Sequence, residues 1–195
     1  MSYEEDFALV KNALKKDKFS FETLVKKYEK LVYSIAYRMF NNREDAEDIT
    51  QNVFIKVYNK LDTFNEGQSF KAWISTVTTN SCIDELRKRK NKSTISIDKT
   101  IDGEDNEFMF ELPSNEITPI DQLVNKERRS IILESICELK KSNKQLIILR
   151  DINDLSYEEI ALHLDMNIGT VKSKISRSRL KLKNIIMEKM EQIEK

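Results

Sequence analysis

The chain has 195 residues, enough to bury one medium core or two small ones. Charged residues make up 34% and apolar ones 39%, the profile of a soluble helical protein. No apolar run approaches the ~18–20 residues that cross a bilayer, so membrane insertion is not expected. One histidine, His163, and two distant cysteines, Cys82 and Cys137, give no zinc-ligand spacing and no Ser, His, Asp or Cys, His set. There is no Gly-rich phosphate loop and no nucleophile elbow, so no catalytic residue, metal site or cofactor is assigned.

In chain order, the acidic start MSYEEDF is neither a signal nor a transit peptide, and the expected location is the cytoplasm. Residues 1 to 66 lack both Gly and Pro, which favours long helices. Apolar residues recur there at helical spacing: Leu24, Tyr28, Leu31 and Ile35, then Ala46, Ile49, Val53, Val57 and Leu61. The second stripe leaves Asp45, Asp48, Gln51 and Asn52 on the outer faces. Phe70 to Lys92 continues as a helix with an aromatic pair, Phe70 and Trp73, at its start and the basic run LRKRKNK at its end. Trp73 reads as core, Phe64 and Phe70 as core or base-stacking, and Asn80, Asp84 and Arg87 share one side at i, i+4 and i+7.

Between about Asn91 and Asp121 the character changes. From Asp98 to Asp121 there are eight acids and one base, Lys99, with both prolines and Gly103 nearby. Such a stretch cannot repay the entropy of ordering and reads as a flexible acidic linker. The expected architecture is therefore all-α: two small helical domains, 1–92 and 123–195, joined by a linker at 93–122. The neutral total, 33 bases against 33 acids, hides two basic surfaces.

In the second domain, Ser156 and Glu159 form a capping box that opens a short helix with Ile160, Ala161 and Leu164 inward. A second helix follows, with Ile168, Val171, Ile175 and Leu182 inward. The small Ala161 allows the close crossing of a helix-turn-helix. Lys172, Ser173, Ser176 and Arg177 fall opposite the apolar stripe, and from Met166 to Met187 every charged residue is Lys or Arg. Cations neutralise phosphate, and Arg, Lys and Ser can read base edges. A merely solvated helix face normally mixes signs, so nucleic acid is the better reading of an acid-free one.

The segments REDAEDITQNVFIKVYNKLDTF (43–64), FKAWISTVTTNSCIDELRKRKNK (70–92) and LRDINDLSYEEIALHLDMNIGTVKSKISRSRLKL (149–182), with LVKKYEKLVYSIAYRMF (24–40) before them, resemble the extracytoplasmic-function (group IV) sigma factors of bacterial RNA polymerase. The resemblance covers nearly the whole chain outside the linker. It implies that Asp45, Asp48, Gln51 and Asn52 dock on the clamp helices of core polymerase. Asn65, Gly67, Gln68 and Ser69, with Asn80, Asp84, Arg87 and Lys88, would capture the melted -10 element. Thr170, Lys172, Ser173, Ser176 and Arg177 would read the duplex -35 element. Core RNA polymerase, promoter DNA and an anti-sigma factor are the implied partners, and the acidic linker would thread the polymerase cleft.

Four departures from the family pattern stand out. Thr76 and Thr79 occupy positions where many members carry basic residues, which should weaken strand contacts. Asp165 replaces the usual Gly of the turn and requires a left-handed conformation. Lys140-Lys141 replaces a Leu-Pro-like start, and Asn52 a frequent acid. Two other readings remain at this level: a helix-turn-helix regulator that footprints DNA by itself on a palindromic site, and a helical adaptor that uses the acidic helix for docking.

Overall fold

The computed structural model describes residues 3–65, 67–93 and 119–193. All secondary structure among them is helical: α1 (Tyr3–Leu14), α2 (Lys18–Phe40), α3 (Arg43–Lys60), a 3-10 turn at Leu61–Thr63, α4 (Phe70–Ser93), α5 (Pro119–Glu138), α6 (Lys141–Ile147), a π-helical turn at Ile148–Ile152, α7 (Tyr157–His163) and α8 (Ile168–Ile193). Most of the stretch read as the linker, 93–122, lies outside the described residues. Its edges are helical instead, because α4 runs to Ser93 and α5 begins at Pro119, where a proline replaces an N–H that a helix start leaves unpaired.

With only three glycines in the chain, the helix junctions rely on Asn, Asp and Lys. Lys16, Asn41, Asp154 and Asp165 all adopt positive φ. Asn41, at φ 52°, ends α2 and donates its N–H to Tyr37 O at 2.7 Å. Asn42 then caps α3 by accepting from the Asp45 N–H at 3.0 Å, and Asp17 caps α2 by accepting from Phe19 and Ser20. Asp165 takes φ 50°, the left-handed geometry that its place in the turn demands.

The N-terminal half builds its core where the periodicity placed it. Leu24, Val32, Ile35 and Ala36 of α2 meet Ala46, Val53 and Val57 of α3 and Ile74 of α4, all essentially buried. Each such side chain contributes roughly 1.5–3 kcal/mol by leaving water. Leu31 of the expected stripe is only half-buried, its neighbour Val32 taking the inner position. Phe64, Phe70, Trp73 and Tyr28 form an edge-to-face and tilted cluster with centroids 5.1–5.7 Å apart, so Phe64 and Phe70, the two candidate base-stackers, are core as Trp73 is. Asp6 of α1 ties down this side, accepting from Tyr28 Oη and from Lys27 Nζ at 2.6 Å. Burial, with the Asp6 carboxylate beside it, pushes the Tyr28 phenol above its ordinary range.

In the C-terminal half, Leu146, Leu149, Leu155, Ile160, Ala161, Val171 and Ile175 share a second core, and Ile136, Leu139 and Ile147 a third. The π-helical turn lets Asn153 N–H reach Ile148 O and swings the chain into α7. The halves are packed together: α5 lies along α2 and α7 against α4. Ile148 belongs to the N-terminal core and Ala72 of α4 to the C-terminal one.

Candidate nucleic-acid interface

The capping box forms as its spacing demands. Ser156 Oγ accepts from the Glu159 N–H at 3.1 Å, and Glu159 Oε2 accepts from the Ser156 N–H at 2.7 Å. It starts α7 beside the end of the π-helical turn, and α8 crosses α7 over the buried Ala161, Val171 and Ile175. Ile168, read as inward, is instead 39% exposed. It is the first residue of α8, where the chain is still leaving the turn, and the first inward position falls to Val171. Ser178, buried and donating to Lys174 O, continues the inner stripe that then reaches the half-buried Leu182.

Thr170, Lys172, Ser176 and Arg177 are exposed on the outer face of α8, with Ser173 half-exposed beside them. Lys172 Nζ stands 5.5 Å from the Tyr157 ring centroid, and Arg150 stands 4.7 Å from it. The ring thus steadies the base of the cationic face. Arg179 differs from its neighbours: its guanidinium clasps Asp151 through both Nε and Nη2, which raises its pKa and ties α8 to the π-helical turn. The face therefore offers Lys172, Lys174 and Arg177 outward, while Arg179 serves the scaffold.

The second candidate surface is α4 with the loop before it. Asn65 and Gly67 are exposed, Gln68 and Ser69 half-exposed, and Glu66 lies outside the described residues. Gly67 has φ 109°, a conformation that a side chain would strain. Ser69 begins α4, its Oγ accepting from the Ala72 N–H at 3.3 Å. Asn80, Asp84, Arg87 and Lys88 are all exposed on α4. Asp84 and Arg87 pair loosely at 3.6 Å, as do Lys88 and Glu85 at 4.0 Å, contacts of little energetic weight in water. Asn80 Oδ1 accepts from Gln145 Nε2 of α6 at 2.8 Å, and Thr76 and Thr79 are buried.

The third surface is the outer face of α3. Asp48, Gln51 and Asn52 are exposed there, but Asp45 is held in a bidentate pair by Arg89 of α4, at 2.7 and 2.8 Å. Arg89 also stacks 5.0 Å over Phe40. Asp45 therefore works as a joint between α3 and α4 in this structure. Reading α3 alone could not find this, because Arg89 lies 44 residues away; so do the long-range pairs of Arg179 and Gln145 escape helical periodicity.

Residues 24–92 match the family model described as Sigma-70 region 2, and residues 129–182 match Sigma-70, region 4. The chain is 32% identical over 171 residues to ECF RNA polymerase sigma factor SigW of Bacillus subtilis, covering 87% of this chain and 90% of that protein. It is 32% identical over 180 residues to the ECF RNA polymerase sigma-E factor of Escherichia coli, covering 92% and 93%. Among solved structures it resembles the sigma factor RpoE of Bartonella quintana, in complex with the anti-sigma factor NepR, with TM-score 0.62, 25% identity and coverage of 86% and 96%. CnrH, in complex with the cytosolic domain of CnrY, shares the fold at TM-score 0.65 and 20% identity, covering 94% and 98%.

The chain belongs to the ECF sigma factors of RNA polymerase, the subunits that confer promoter-specific initiation. The regulator and adaptor readings are not favoured. No helix among the described residues is long and apolar enough to cross a membrane.

Proposed function

We propose that this sigma factor acts as a non-catalytic, cytoplasmic specificity subunit whose halves divide the work. The N-terminal half, 1–92, docks core polymerase through Asp48, Gln51 and Asn52 of α3, with Asp45 bracing that helix. Asn65, Gly67, Gln68 and Ser69, with Asn80, Asp84, Arg87 and Lys88, hold the melted -10 strand. Opening a duplex costs stacking energy, which a base pocket and a cationic strand path offset. The C-terminal half, 123–195, reads the duplex -35 element through Thr170, Lys172, Ser173, Ser176 and Arg177, with 93–122 joining the two.

The observation that carries this reading is the outer face of α8 from Ile168 to Met187, acid-free and exposed on a well-capped helix-turn-helix. Two weak grips tethered in one chain give a strong joint one. An anti-sigma factor is the natural inhibitory partner, in likeness to the complex of RpoE with NepR. The test is gel filtration of the purified chain with bacterial core polymerase at moderate salt. Co-migration is the expected outcome; failure, together with clean binding to DNA by the chain alone, would return the assignment to a conventional regulator.

A further inference from the structure

We propose that the turn between α1 and α2, with the last turn of α3 beside it, is a further single-strand site, where Lys15, Lys16, Lys18, Phe19 and Tyr58 take the melted strand beyond the 65–69 loop. The local sequence LKKDKF, Leu14 to Phe19, sets up this surface. Lys16 turns the chain at φ 68°, and Asp17 caps α2. The Asp17 carboxylate accepts from the Phe19 and Ser20 N–H groups and from Ser20 Oγ, so its charge serves the helix start. Lys15, Lys16 and Lys18 are exposed, and none of them takes part in an ion pair among the described residues; Lys27, further along α2, is by contrast held by Asp6. Glu22 lines a shallow hollow with Lys16, Lys18 and Tyr58, which leaves three cations against one uncommitted acid.

Rings stand among these cations. Ser20, Leu24 and Tyr28 make the inner stripe of α2, and Phe19, one residue off it, is left 75% exposed. Tyr58, near the end of α3, is 53% exposed and meets Phe21 edge to face at 5.0 Å, a contact that fixes its ring while leaving much of it open. Sequence-tolerant single-strand sites combine these two features: cations take the phosphates, and open rings take the bases by stacking. An anionic bilayer would also attract the lysines, but it asks for a continuous apolar face to bury, and here the rings stand singly between charges.

The packing of the helices says which part of the strand arrives there. α4 and α2 run side by side in the same direction: Arg89, near the end of α4, stacks over Phe40 at the end of α2, and Phe70, at the start of α4, meets Tyr28 at 5.1 Å. A strand that enters at Arg87 and Lys88 and reaches the loop has travelled about 27 Å down α4, at 1.5 Å per residue. Continued the same way, it passes Tyr28 and comes to Phe21 about 10 Å further on, close to three strand steps of about 3.4 Å. α1 also packs against the 3-10 turn at Leu61–Thr63 that leads into the loop, so the lysine turn and the loop share one end of the helical bundle. The direction of the strand rests on the proposed -10 role of the loop; the capacity of this surface to bind a single strand does not.

The test is fluorescence anisotropy of a labelled oligodeoxythymidylate of about 12 nucleotides, within the reach of one single-strand site, titrated with the full chain. Lys172→Ala and Arg177→Ala are present throughout to mute the α8 face, and one 5-iododeoxyuridine in the oligomer allows photo-cross-linking. Phe19→Ala is expected to weaken binding at least about fivefold, the lower end for losing one stacked base, and Phe19→Trp to restore it. Lys16→Gln with Lys18→Gln is expected to flatten the logarithmic salt dependence by about 1.4, two phosphates at about 0.7 each. Cross-links are expected on Phe19 or Tyr58. Unchanged affinity in Phe19→Ala, or cross-links confined to other surfaces, would overturn the site, as would Phe19-dependent sedimentation with phosphatidylglycerol vesicles in place of strand binding. Asn65→Ala separates this site from the loop: a loss there without a loss in Phe19→Ala keeps the -10 role and removes the extension, and the reverse keeps the strand site and removes the loop.

Discussion

The outer face of α8 and the polar stripe of α4 have similar residues and opposite circumstances. On α8, Lys172, Ser176 and Arg177 face solvent with the scaffold's ion pair, Arg179 to Asp151, set to one side. On α4, Thr76 and Thr79 are buried and Asn80 is engaged by Gln145. One surface stands open to solvent as folded, whereas the other is partly occupied by the rest of the chain. The difference lies in what each helix rests upon: α8 needs only its own half beneath it, but α4 is gripped from both sides.

The largest effect that would sharpen this contrast concerns the underside of α4. Phe70 is 2% exposed and touches Tyr28, Phe64 and Trp73 at once. Phe70→Ala should destabilise the N-terminal half by about 3–5 kcal/mol, the range for emptying a buried aromatic site. Thermal unfolding followed by circular dichroism measures it. A loss under about 1 kcal/mol would show that the C-terminal half, and not the aromatic cluster, is what fixes α4.

Next in size is a comparison within α8. Lys172→Ala should weaken DNA binding by the polymerase holoenzyme by about 1–3 kcal/mol and leave the affinity for core polymerase unchanged. Arg179→Ala, which removes the clasp on Asp151, should chiefly cost stability, within about 1 kcal/mol for so exposed a pair. Electrophoretic mobility shifts at two salt concentrations separate the two effects. Equal losses of DNA affinity in both variants would mean that the cationic face extends to Arg179 and that its ion pair opens on DNA.

Much of this arrangement is legible in the sequence. The helices of the first core follow from the spacing of Ala46, Ile49, Val53, Val57 and Leu61, the α7 start from Ser156 and Glu159, and the left-handed turn from Asp165. Local chemistry is sufficient for each, because cap, stripe and turn are all satisfied within a few residues. What escapes is non-local. Asp45 reads as a docking acid until Arg89 is seen beside it, and no local pattern marks Lys144 as a donor to the end of α2. Ile168 leaves the periodic stripe because it opens α8, one turn before that helix meets the core at Val171.

The smallest effect separates the two halves by pH. The chain's one histidine, His163, sits in the last turn of α7, half-buried, with Nε2 lacking a hydrogen-bond partner. Burial lowers its pKa, and the charge of Glu159 opposes the shift only in part. The unfolded chain then takes up the proton first, as pH falls through the ordinary histidine value near 6.5, while the folded chain resists it. Stability of the C-terminal half should therefore decline from about pH 6.5 downward until the folded histidine titrates too. His163→Gln should flatten that part of the profile, measured as the urea midpoint between pH 7.5 and 5.5. An unchanged slope in His163→Gln would show that the acid sensitivity does not arise at His163.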